Sequence, residues 1–357
     1  MPIHLTGYAR FRLRARCCIR LVLESREIVM KVLIACHAGV GVGLGHLSRS
    51  LVVARALQAR FDADIRWLIQ SDPFVRHDLN RWSHRWVAPD QDLVAQLVAE
   101  GAVDLVLLDL QPQRVPPHLG QAITRLRAKG AKVIAVDGLL AWRPDLDLIF
   151  IPSFQFSAPA GMTDRGAPIV YGWDCFLLDM EQTPVPWEPG RNVLALTGGS
   201  DVTRLGATWP MLLDDALPSD VTVHWVTGPF AERPHWPLSP RVNLIEHVAP
   251  PGLAPLMRQA NYAVTVFGVS FFELLSMGVP TVVFSPYGGK DSSEMSAIAS
   301  SGVALVAADE REATTMLKAL LAQNDLAQHL SKRAREALRG GHGAERLCAE
   351  IVDCMIH

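Results

Sequence analysis

Absences narrow the sequence before any motif is read. The six cysteines (Cys17, Cys18, Cys36, Cys175, Cys348 and Cys354) form no CxxC pair and no zinc-like quartet, and no HExxH occurs. They read as reduced cytosolic thiols, and no metal is assigned. An excess of one charge sign is missing too: 34 Lys plus Arg stand against 36 Asp plus Glu, a net charge of -2. That balance argues against a dedicated nucleic-acid binder, whose affinity would rest on a basic surface. The longest apolar stretch, Tyr262 to Pro286, is interrupted by Gly268, Glu273, Gly278 and Pro280. No transmembrane helix is therefore expected.

What is present is apolar and rhythmic. Of 357 residues, 49% are hydrophobic and 20% charged, with mean hydropathy +0.18, enough for two cores of ordinary domain size. From Lys31 onward, short Val/Ile/Leu runs alternate with amphipathic stretches. Strands are expected at Val32–Ala35, Ile65–Ile69, Leu105–Leu108, Val133–Val136 and Leu148–Ile151, with helices over Leu47–Ala59 and Leu119–Ala128. Unbroken runs such as LVLL and VIAV are the mark of parallel strands buried on both faces. The prolines of Thr183-Pro-Val-Pro-Trp-Glu-Pro-Gly190 sustain neither helix nor central strand. After them the alternation restarts, with strands at Asn192–Leu196, Val221–Thr227, Val242–Glu246, Tyr262–Val266 and Thr281–Phe284. Helices fit Pro255–Gln259, Phe271–Met277, Ser293–Ser300, Glu312–Gln323 and Leu326–Leu338.

The fold class expected is α/β, with two doubly wound Rossmann-like domains facing a cleft. The expected boundaries are 30–182 for the first domain, 183–190 for the linker and 191–357 for the second domain. Residues 1–29 carry Arg10, Arg12, Arg14, Arg16, Arg20 and Arg26 and read as an extension outside the fold, with Met30 as an alternative start. They have no signal-peptide h-region, and they leave room for peripheral membrane contact. A cytoplasmic location is expected.

The strongest local signal is Gly39-Val-Gly41-Val-Gly43-Leu-Gly45-His46-Leu-Ser-Arg49, a strand-to-helix loop whose backbone N–H groups and helix dipole suit an anion. It is not GxGxxG, no acidic residue ends the next strand, and no Walker lysine follows, so a dinucleotide or P-loop site is not expected. His46, at the helix start, is the candidate general base. Arg49, one turn on, would hold a phosphate or pair with a local acid. Asp109 and Asp137 end neighbouring strands, where open α/β sheets meet their ligands. His37 reads as structural. In the second half, Gly198-Gly199-Ser200-Asp201 is a strand followed by a glycine turn. Ser270 and Glu273 form S-x-x-E before an apolar helix, the signature of a capping box. The same helix N-terminus would receive a diphosphate, with Glu273 accepting hydrogen bonds from ribose hydroxyls.

In order and spacing, these motifs resemble the two-domain GT-B nucleotide-sugar enzymes. The resemblance is to the UDP-sugar hydrolase of pseudaminic acid biosynthesis and its spore-coat-polysaccharide relatives, predicted to be glycosyltransferases. It is carried by Gly43-Leu-Gly45-His46-Leu-Ser-Arg49, Asp104–Asp109 with Lys132–Asp137, and Tyr171-Gly-Trp-Asp-Cys-Phe-Leu-Leu178. Further on it rests on Thr197-Gly-Gly-Ser-Asp201, Phe272-Glu-Leu-Leu-Ser-Met-Gly-Val-Pro280 and Gly341-His-Gly-Ala-Glu-Arg346. It implies a GT-B-like fold, a UDP-sugar partner with an unknown acceptor, no cofactor, and chemistry at His46, with Asp109 next in line. Gly43, Gly45, Arg49, Gly199, Ser200, Gly268, Ser270, Glu273 and Asp291 become the candidate nucleotide-sugar contacts. The hydrolase's tyrosine after the aspartate is Leu110-Gln111 here, which places a transferase first, a hydrolase second and a non-catalytic sugar-nucleotide binder third. The usual double glycine is Phe267-Gly268-Val269, and Gly288-Gly-Lys-Asp291 stands where Asn-Gln is expected.

Overall fold

The computed structural model describes residues 29–179, 186–338 and 342–356. Residues 1–28, with Cys17 and Cys18, and residues 183–185 of the expected linker lie outside the described residues.

The first sheet contains β1 (Lys31–His37), β2 (Asp64–Gln70), β3 (Ser83–Val87), β4 (Leu105–Asp109), β5 (Lys132–Val136), β6 (Leu148–Phe150) and β7 (Ile169–Val170). Its order is β3-β2-β1-β4-β5-β6-β7, and every pairing is parallel. Strand β1 shows why the apolar runs are unbroken. Val32, Ile34 and Cys36 enter one core with Leu47, Leu51 and Ala54 of α1 (Gly45–Phe61). Leu33 and Ala35 enter the opposite core with α2 (Leu93–Ala99) and α3 (Leu119–Ala128).

The second sheet contains β8 (Asn192–Leu196), β9 (Thr222–Thr227), β10 (Asn243–Val248), β11 (Tyr262–Val266), β12 (Thr281–Phe284) and β13 (Leu305–Val306). Its order, β10-β9-β8-β11-β12-β13, repeats that of the first sheet through the sixth strand. Its helices are α4 (Trp209–Ala216), α5 (Ala254–Gln259), α6 (Val269–Met277), α7 (Ser292–Ser301), α8 (Glu310–Leu320) and α9 (Asn324–Ala337). Each sheet therefore reverses direction once, between β1 and β4 and between β8 and β11, which is where ligands of doubly wound folds bind. Among the described residues, no helix is long and apolar enough to cross a membrane.

Helix α10 (Gly343–Ile356) departs from the expected boundaries. It falls within 191–357, yet its buried Leu347, Cys348 and Ile351 join the core of the first domain. Two motifs with no evident use in the sequence explain how it docks. Arg346 forms an ion pair with Asp174, and Gly343 lies so close to the crossover segment that a Cβ there would stand 2.3 Å from the Phe176 carbonyl oxygen. The same crossover reaches the second domain, where Phe176 stacks on Phe272 of α6 with ring centroids 4.0 Å apart.

Candidate active site

The site is built on the carboxyl end of the first sheet. The glycine loop after β1 folds on itself: Gly39 donates to the Gly43 carbonyl at 3.1 Å, and Gly43 donates to the Gly39 carbonyl at 2.8 Å. Positive φ angles of 72° at Gly41 and 82° at Gly43 make this turn available to glycine. Because the Gly43 amide is spent inside the loop, it is not the anion donor expected of it. Gly45 opens α1 without a side-chain cap, and a Cβ there would touch Val269 Cγ2 at 3.4 Å. The start of α1 and the start of α6 thus meet across the gap between domains.

His46 and Asp109, singled out separately in the sequence, are joined. His46 Nδ1 stands 2.6 Å from Asp109 Oδ1. Asp109 is 1% exposed and also accepts Arg49 Nε at 2.6 Å, Arg49 Nη2 at 2.5 Å and Ser50 Oγ at 3.2 Å. Burial alone would raise this carboxyl; the Arg49 guanidinium, with His46, overcomes it and holds Asp109 well below the usual carboxylate range. Nδ1 also stands 2.9 Å from Arg49 Nη2, so the ring proton's place depends on which of the two partners Nδ1 serves. With Nδ1 protonated toward Asp109, Nε2 on the far side of the ring has its lone pair free. Asp109 itself is enclosed and cannot reach a substrate, so its place is behind His46.

Of the two partners expected for Arg49, a phosphate or a local acid, the structure shows the acid: its guanidinium is spent on Asp109 and, through Nη1 at 3.0 Å, on Asp137 Oδ2. Ser50, the fourth donor to Asp109, was missed; a serine inside an amphipathic helix carries no signal of its own. His37 is buried and structural: its Nδ1 accepts the Gln111 backbone N–H at 3.0 Å. Burial, with His46 and Arg114 nearby, pushes it down to about 4.

Opposite, α6 begins at Val269 with Gly268 as its extended N-cap and no side-chain cap. The expected capping box is therefore absent. Ser270 lies inside the first turn, and the helix start is left without a side-chain cap on its amides. Glu273 is pushed up to about 7 by burial, with Asp179 adding to the effect and Arg76 and Ser270 opposing it. Ser200 Oγ lies 4.0 Å from where a Gly43 Cβ would be, and Gly199 packs on Leu44, so the β8 turn closes the gap from the second domain. Asp291 is engaged within its own loop by Ser285 Oγ at 2.5 Å.

Two cavities open here. One of about 430 Å³ lies within the first domain beside the glycine loop and is lined by His37, Val42, Gln70, Asp72, Asp90 and Arg114. Another, of about 270 Å³, lies between the domains and is lined by Gly41, Ser200, Asp201, Phe230, Arg233 and His235.

No family model matches the chain, and no curated protein matches it by sequence. Solved structures do match in shape. MurG of Acinetobacter baumannii is 16% identical with a TM-score of 0.57, over 91% of this chain and 99% of that one. UGT2 of Phytolacca americana, solved with UDP-2-fluoro-glucose and pterostilbene, is 13% identical with a TM-score of 0.61, over 92% and 100%. UGT71G1 of Medicago truncatula, solved with UDP-glucose, is 13% identical with a TM-score of 0.62, over 92% and 98%. The fold is thus GT-B-like, two Rossmann-like domains in tandem.

Proposed function

We propose that the chain is a glycosyltransferase that moves a sugar from a nucleotide diphosphate, UDP in the first instance, to a hydroxyl acceptor. The observation that carries this reading is the His46–Asp109 pair, 2.6 Å apart, set beside the uncapped start of α6. His46 Nε2 takes the acceptor's proton as the acceptor oxygen attacks the anomeric carbon. The anomeric C–O bond breaks, and its electron pair leaves on the diphosphate oxygen. The open amides and dipole of α6 meet that charge, with no metal in this role. Glu273 accepts from the ribose hydroxyls, and Gly199, Ser200 and Gly268 border the donor. The nucleotide sugars bound in two structural neighbours support a donor of this class.

The hydrolase reading, with water in place of the acceptor, rests on the motif resemblance. The cavity of about 430 Å³ beside the glycine loop, which His46 itself does not line, offers room for an acceptor larger than water. Surface-polysaccharide or glycoconjugate assembly is the setting the resemblance implies.

The test is a panel of UDP-, CMP-, GDP- and dTDP-sugars, run with and without hydroxyl acceptors and with EDTA present. Transfer that needs an acceptor supports the proposal; free sugar released without one identifies a hydrolase; binding with no turnover leaves a binder. His46→Ala should lower turnover by about 10²- to 10⁴-fold with nucleotide affinity nearly unchanged. Near-normal turnover would remove His46 from the mechanism.

A further inference from the structure

Arg49 poses a choice for His46. Its Nη2 stands 2.9 Å from His46 Nδ1, the same nitrogen that lies 2.6 Å from Asp109 Oδ1. One ring nitrogen cannot serve both. If Nδ1 carries the proton, it donates to Asp109 and Nε2 is bare. If Nδ1 is bare, it accepts from Arg49 and Nε2 carries the proton, which disables the ring as a base. An ionised Asp109 is the stronger partner, because a charge-assisted bond outweighs N–H to imidazole nitrogen. Asp109 is ionised inside a core chiefly because Arg49 grips both its oxygens.

We infer that Arg49, anchored at its outer edge by Asp137, is a positioning residue that fixes His46 in the Nδ1–H tautomer, and not a ligand of substrate phosphate. The residue type fits the task. Lysine would supply charge at one point, whereas the guanidinium spans both oxygens of Asp109 and still reaches Asp137. The cluster also ties α1, the end of β4 and the end of β5 to one another, so His46 is oriented by three elements. The catalytic value of this arrangement rests on the reading of His46 as general base; the tautomer itself does not.

The experiment therefore reads the tautomer first. The intact protein is labelled with ¹⁵N-histidine, and the His46 resonances are identified by their loss in His46→Asn. The wild-type ring should show a protonated Nδ1 and a bare Nε2. In Arg49→Gln the buried Asp109 gains a proton and donates to Nδ1, so the balance should move toward Nε2–H by about tenfold or more. UDP affinity, read by calorimetry, should stay within about twofold, since the guanidinium is already engaged. An unchanged tautomer in Arg49→Gln overturns the proposal, and a tenfold loss of UDP affinity with the tautomer unchanged makes Arg49 a phosphate ligand instead. If Arg49→Gln does not fold, Asp137→Asn carries the test with a smaller shift in the same direction, and no shift there overturns it. Failure of every form to bind UDP would sink the donor assignment while leaving the tautomer result standing.

Discussion

Two carboxylates, Asp109 and Glu273, have surroundings that drive them in opposite directions. Asp109 has four donors and stays ionised. Glu273 has Ser270 in its favour, while burial and the nearby Asp179 lift it from 4.5 to about 7. The sign of the linkage follows. Between pH 4.5 and 7 the folded protein keeps a proton on Glu273 that the unfolded chain has released, so stability falls as pH rises through that window. Glu273→Gln should flatten this dependence, gaining on the order of 2 to 3 kcal/mol at pH 8 relative to wild type and nothing at pH 4. Urea unfolding at the two pH values measures it; parallel curves for the two proteins would mean that Glu273 is solvated. UDP affinity should rise from pH 6 to pH 8 in wild type, as the carboxylate becomes able to accept ribose hydroxyls. It should stay flat and weaker in Glu273→Gln.

At the scale of elements, the contact of α10 with the crossover gives the sharpest prediction. A Cβ at Gly343 would meet backbone at Phe176, which has no rotamer with which to yield. Gly343→Ala should therefore cost about 1 to 3 kcal/mol, seen as a lower melting temperature by circular dichroism. A melt indistinguishable from wild type would mean that the helix end slides without penalty. The same scale shows what could be read in advance. Strands β1, β4, β5, β8 and β11 are buried on both faces, so their apolar runs declare them. Strand β3 was missed because it is an edge, and Ser83, His84 and Arg85 break the run. Helix α2 escaped notice because it is short; Asp92, whose side chain accepts from Val94 and Ala95, starts it. His46 and Asp109 were legible because strand ends and glycine loops are positions that sequence can mark. Their meeting was not legible, nor was the part of Arg49, since a guanidinium looks the same whether a phosphate or a carboxylate awaits it. The box Ser270-x-x-Glu273 misled for a related reason: its spacing is present, but the helix has its N-cap at Gly268, two residues earlier than the box requires.

For the whole molecule, the first domain is discontinuous in sequence. Its core includes Leu347, Cys348 and Ile351, all essentially inaccessible. A fragment spanning residues 30–182 would leave their seats on α1 open. Leu347 and Ile351 alone are each worth about 1.5 to 3 kcal/mol of burial, against a typical whole-domain stability of about 5 to 15 kcal/mol. That fragment should aggregate or bind a hydrophobic dye, and supplying residues 342–357 in trans should reduce both; a soluble, cooperative fragment would show that α10 is dispensable. The return of α10 also constrains movement. Phe176, Leu178 and Leu338 share a core with Phe272 of α6, while Leu177 and Leu347 sit in the core of the first domain, so the two bodies are held at two places instead of one. A door hung this way has one axis. Opening and closing would carry the amides of α6 along a repeatable arc toward and away from His46, and most of the twisting and sliding available to singly tethered domains is lost.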